Sequence, residues 1–129
     1  MPRLRLAAAL IVSLGTPPCA ASWLHCSASG SNDTGPFGFE TTIADVRETS
    51  PAALTALQAR LASYIVKNDP EAHGITAKCA VFDDEVDAAQ HYARALNAVS
   101  RKLGWDHTTA LAPHSWLASN DLIDTPLEP

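Results

Sequence analysis

The sequence predicts an α+β fold, a small two-layer sandwich in which two helices cover one face of a mainly antiparallel sheet. Residues 50–68 and 83–103 repeat apolar side chains at helical spacing, while residues 23–28 and 75–82 alternate with the period of two expected of a half-buried strand. Two helices that each carry one apolar stripe need a sheet face on which to bury it. The order read along the chain is strand, strand, helix, strand, helix, strand. It forms one domain over residues 23–112, followed by a mostly irregular tail over residues 113–129.

Before the first strand the chain reads as an address. Arg3 and Arg5 give a cationic start, and Leu6 to Leu14 is an uncharged apolar run too short to anchor stably in a bilayer. Gly15, Pro17 and Pro18 break that run, and small residues follow at Ala20, Ala21 and Ser22. Residues 1–22 are therefore expected to be a signal peptide, with cleavage after Ala21. The mature protein is expected to be exported, to the periplasm or the extracellular space, with no stable membrane anchor left. Cys19 follows Thr16, Pro17 and Pro18 rather than the Leu-small-small pattern of a lipidated cysteine, which argues against a lipid anchor.

The first strand, Trp23 to Ala28, sets Leu24, Cys26 and Ala28 against Trp23, His25 and Ser27. Ser29 to Gly38 is dense in turn formers and reads as a loop leading to a second strand, Phe39 to Val46. Ser50 is the N-cap of the first helix and Pro51 its first residue, where a missing N–H costs nothing. Leu54, Leu57, Leu61 and Ile65 form its stripe, and Asn68-Asp69-Pro70 ends it. In the third strand, Ile75, Ala77, Cys79 and Val81 alternate with Thr76, Lys78, Ala80 and Phe82. The second helix starts at Asp83 or Asp84 and ends at Leu103, with Gly104 placed for a left-handed cap. Its expected inner face is Val86, Ala89, Ala93, Leu96, Val99 and Leu103, and Trp105 to Ala112 is the expected last strand.

Removal of the signal takes Cys19 and leaves Cys26 and Cys79, an even pair in an oxidising compartment. Both belong to the apolar sets of their strands, so a Cys26–Cys79 disulfide is expected. Nine basic residues stand against fourteen acidic ones, and Arg3 and Arg5 leave with the signal, so the mature charge is seven against fourteen, or −7. That balance excludes the clustered positive surface that nucleic acid requires. It suits a basic protein partner, although solubility alone also accounts for it.

Candidate chemistry is sparse. Asp83, Asp84, Glu85 and Asp87 crowd four carboxylates into five positions, but acidic residues at a helix start are accounted for by capping and the helix dipole. His25, His73, His91, His107 and His114 show no metal-ligand spacing, and solvated surface histidines are the plain reading of all five. His25 and His107 meet if their strands are neighbours, with Asp106 to orient a ring. Ser27, Ser29 and Ser31 lie in no Gly-x-Ser-x-Gly elbow. Trp105 and Trp116 adjoin irregular chain and are candidates to flank a binding surface, against the plainer reading of core packing. No cofactor or metal signature is present. The sequence thus favours a non-catalytic exported binding protein of inhibitor, immunity-like or envelope accessory type, contacting its partner through Asp83, Glu85, Asp87, Trp105 and Trp116. The alternative is a small exported hydrolase or metal-dependent enzyme built on His25, His107 and Asp106.

Overall fold

The alternation that opens the mature chain builds an eleven-residue strand, β1 (Ser22–Asn32), and the sheet assembles along both of its edges. The computed structural model describes residues 22–47 and 49–117. The expected signal segment before Ser22 and the tail beyond Leu117 lie outside the described residues. The remaining elements are β2 (Gly35–Thr41), β3 (Ala44–Val46), α1 (Pro51–Asn68), β4 (His73–Phe82), α2 (Glu85–Leu103), a 3-10 turn (Trp105–His107), β5 (Thr108–Leu111) and α3 (Pro113–Trp116). The fold is α+β, with a mostly antiparallel mixed sheet.

One edge of β1 pairs antiparallel with β4, from Trp23 opposite Phe82 to Ser31 opposite His73. Its other edge is shared, with β2 facing residues 27–32 and β3 facing residues 22–24. The expected second strand is thus broken in two. From Ser27 opposite Glu40 to Leu24 opposite Ala44, three steps on β1 meet four on its partner, which is a one-residue bulge. Side chains and the neighbouring strand fill the gap in the ladder: Cys26 N–H donates to Thr41 Oγ1 at 2.9 Å, and Thr42 N–H donates to Leu111 O at 2.9 Å. β5 runs parallel to β2 and completes the sheet.

The segment expected as a loop, Ser29 to Gly38, is instead strand on both sides of a turn at Asp33 and Thr34. Asn32 Oδ1 accepts from both Thr34 N–H and Thr34 Oγ–H and so closes that turn. Glycine and serine serve packing here as well as turning. A Cβ on Gly38 would lie 2.5 Å from Val99 Cγ2, so only glycine lets α2 approach β2 this closely.

Consecutive residues of a strand face opposite ways, and in β1 this divides the molecule. Leu24, Cys26 and Ala28 join Phe37, Val46, Leu57, Leu61, Ile65, Leu111, Trp116 and Leu117 in one buried apolar cluster. α1 covers this face, and its start follows the expectation: Ser50 Oγ accepts from Ala53 N–H at 3.2 Å, with Pro51 in the first turn. Full burial of each of Leu57, Leu61 and Ile65 contributes about 1.5–3 kcal/mol.

Cys26 and Cys79 stand directly opposite one another on β1 and β4, bonded with S–S 2.03 Å and Cα–Cα 4.0 Å. Neither cysteine spends its amide on the other: Cys26 N–H goes to Thr41, and Cys79 N–H goes to Gln58 Oε1 of α1 at 3.0 Å. That is the pattern of a non-hydrogen-bonded pair, whose side chains approach closely enough to bridge.

α2 does not share the face of α1, which corrects the expected two-layer arrangement. His25, on the opposite side of β1 from Cys26, contacts His91 and Tyr92 of α2, and Phe82 of β4 contacts His91. The sheet lies between the two helices. The inner face of α2 is rotated from the one expected: Ala88 and Ser100 are buried and His91, Tyr92, Leu96 and Val99 half-buried, while Ala89 and Ala93 are exposed and Val86 is 58% exposed. Alanines on both sides of the helix hide its true inner face from a reading of apolar spacing. The bounds of α2 hold, with Asp84 as N-cap and Gly104 at φ 90° as C-cap.

A short 3-10 turn replaces the start of the expected last strand, which begins at Thr108, and α3 lies within the expected irregular tail. Among the described residues no helix is long and apolar enough to cross a membrane.

Candidate functional site

Beneath α2 the sheet presents polar side chains, and two of them, both buried, form a chain with a histidine of α2. His25 Nε2 and Glu40 Oε1 are 2.8 Å apart, and His25 Nδ1 and His91 Nδ1 are 2.7 Å apart. His25 is 1% exposed and Glu40 5%, whereas His91 is half-buried on α2. The strands set this geometry. Glu40 sits opposite Ser27, diagonal to His25 on the same face, immediately before the bulge, and Ser27 Oγ–H also donates to Glu40 Oε1. α2 then lowers His91 onto His25, with the ring of Phe82 packed 4.9 Å from that of His91.

Proton positions follow from these contacts. A carboxylate only accepts, so His25 Nε2 carries the proton shared with Glu40. When His25 carries only that proton its Nδ1 is bare, and His91 then donates from its own Nδ1. The chain reads Glu40, His25, His91, with His91 Nε2 engaged in none of these bonds. Burial is the largest cause holding the His91 pKa below its ordinary value of 6.5; the charges of His25 and Arg94 act in the same direction, and Glu40 opposes them. Burial first, and then the Glu40 charge, push the Tyr92 phenol above its ordinary value. Such an arrangement fixes ring orientation and can carry a proton between a buried carboxylate and the α2 surface. Both nitrogens of His25 are occupied within the chain. Among the described residues no group of three or more His, Cys, Asp or Glu is placed to hold a metal ion.

The residues expected from sequence fall elsewhere. His107 and Asp106 lie in the 3-10 turn before β5, and β5 pairs with β2 rather than β1. Thr108 is in register with Gly38 and hence with Ser29, four residues or about 13 Å along β1 from His25. His25 and His107 therefore do not meet. Asp83, Glu85 and Asp87 are all exposed around the start of α2, where Asp84 supplies the cap by accepting from Val86 N–H at 3.1 Å. Trp105 is 64% exposed, but Trp116 is 4% exposed and belongs to the core under α3, so the two do not flank one surface. Sequence reasoning missed Glu40 and His91. Their signals were present: an acid three residues after Phe37 and one after Phe39, on alternate phase to them, and a histidine one turn from Ala88 and from Ala95.

Comparison with protein-family models, with curated proteins and with solved structures finds no match.

Proposed function

We propose that this chain is a small exported binding protein, periplasmic or secreted, that acts on a basic protein partner and performs no chemistry of its own. The observation that carries this reading is the start of α2. Asp84 alone caps the helix, and Asp83, Glu85 and Asp87 stand exposed beside it as carboxylates available to a partner. The excess of acidic over basic residues adds a field that speeds encounter with positive charge. The Cys26–Cys79 bond suits an oxidising compartment, and cleavage near Ser22 is part of the same proposal.

A pull-down from envelope extract with the mature protein supplies the partner, and association kinetics test the surface. Association should slow steeply as salt rises, since exposed charges are screened over about 8 Å at physiological ionic strength. Glu85→Gln with Asp87→Asn should slow it further while changing stability by no more than about 1 kcal/mol, because Asp84 still caps the helix. Salt-independent association contradicts the proposal. Mass spectrometry of protein taken from its native envelope tests export, and an intact Met1 on cytosolic protein contradicts it.

The buried Glu40–His25–His91 chain favours a second reading, an exported acid–base enzyme using His91 as its proton-transfer group in place of the His25, His107 and Asp106 set. A catalytic activity lost in His91→Gln and kept in His107→Gln would establish it.

A further inference from the structure

Beside the histidine chain lies a cleft of about 340 Å³ that the acidic surface of α2 does not include. Ser27, Ser29, Glu40, Thr76, Lys78 and Val99 line it. Glu40 is built into its wall with its two oxygens in different roles. Oε1 takes the hydrogen bonds from His25 and Ser27, Oε2 takes neither of them, and the residue lines the cleft. A carboxylate held through one oxygen at the wall of a cleft is a cation acceptor that needs little reordering on binding.

Opposite charge faces it across one row of the sheet. Lys78 is in register with Ser27, and Ser27 with Glu40, so the Lys78 and Glu40 Cα atoms are two strand spacings, or about 10 Å, apart. Lys78 is exposed and lines the cleft, and its flexible stem is long enough to span part of that interval. Hydroxyls of Ser29 and Thr76 lie in the next row, and Val99 of α2 supplies an apolar wall. A simple cation would leave Lys78 unmatched, and a simple carboxylate would leave Glu40 unmatched. A ligand with both charges about two residues, or 6–7 Å, apart matches both.

We propose that this cleft binds a small zwitterion of dipeptide size, with its ammonium on Glu40 Oε2 and its carboxylate on Lys78. The site is independent of the acidic surface assigned to a protein partner and stands or falls separately from it.

Amide NMR of the labelled full chain, titrated with Ala-Ala, with Ala-Ala amide and with N-acetyl-Ala-Ala, tests the proposal. Ala-Ala should shift the Ser27, Ser29 and Thr76 amides with a Kd on the order of 1 mM, and blocking either end should weaken binding about tenfold. Lys78→Ala, at an exposed position that leaves the core intact, should weaken Ala-Ala about tenfold and leave Ala-Ala amide unchanged. Glu40→Gln should abolish the preference for a free ammonium; if that variant fails to fold, the His91 ring reports the same contact. Glu40 raises the His91 pKa, so a bound ammonium, by offsetting the Glu40 charge, should lower the His91 midpoint further. Equal binding of all three probes, unchanged Ala-Ala binding in Lys78→Ala, or no shift at these amides at about 10 mM Ala-Ala would overturn the proposal.

Discussion

Along β1, Leu24, Cys26 and Ala28 turn toward α1 and are almost sealed, while His25, Ser27 and Ser29 turn toward α2 into a polar layer with a cleft beside it. The α1 face is held by three fully buried leucine and isoleucine side chains of the helix and by the cystine. The α2 face has its helix only half-buried, with His25, Glu40 and Ser100 as its buried polar groups. Apolar contact is non-directional and tolerant, whereas a buried carboxylate and imidazole hold only in a set geometry. The difference teaches that apolar packing and polar hydrogen bonding in this domain are assigned to opposite sides of a single strand.

The sharpest way to break that division is to weaken the α1 face. Leu61→Ala should cost about 2–5 kcal/mol, and Cys79→Ala about 2–4 kcal/mol because the bond closes a loop across 53 residues. Urea unfolding measures both, and a loss below about 1 kcal/mol for each would show that the α1 face is not the main support.

A smaller effect probes the seat of α2. Gly38→Ala places a methyl against Val99 and should cost about 1–3 kcal/mol, and Val99→Ala in the same chain should recover much of that loss. Additive losses in the double variant would mean that α2 does not rest on Gly38.

The smallest effect is the dependence of stability on pH. The fold favours neutral His91, so the unfolded chain takes up its proton first as pH falls below 6.5. The His91 contribution is therefore fully present above that value and is lost as pH falls through the lower folded pKa. His91→Gln should flatten this part of the profile when unfolding is followed from neutral to mildly acidic pH. An unchanged profile would show that His91 titrates freely and is not bound into the chain.

The sequence carried the α1 side of the molecule well, because its signals are local. Ser50 with Pro51, the Leu57–Leu61–Ile65 spacing and the alternation through Cys79 each report on their own segment, and the cystine follows from two such alternations. Gly104 and Asp84 likewise marked the ends of α2. The α2 side was hidden because its determinants are pairwise. Gly38 looks like a loop residue until Val99 is known to press on it, and His91 looks solvated until His25 is known to lie beneath it. Glu40 reveals nothing alone, since its role depends on a bulge that the two strands create together.

The central claim is that Glu40, His25 and His91 form one hydrogen-bonded chain across the polar face, and the ring protons report it directly. Nitrogen-15 NMR of the two imidazoles at about pH 8, above the ordinary histidine range, should find His25 protonated at Nε2 and His91 protonated at Nδ1. Both Nδ1 atoms found without a proton would place two lone pairs against each other and contradict the chain.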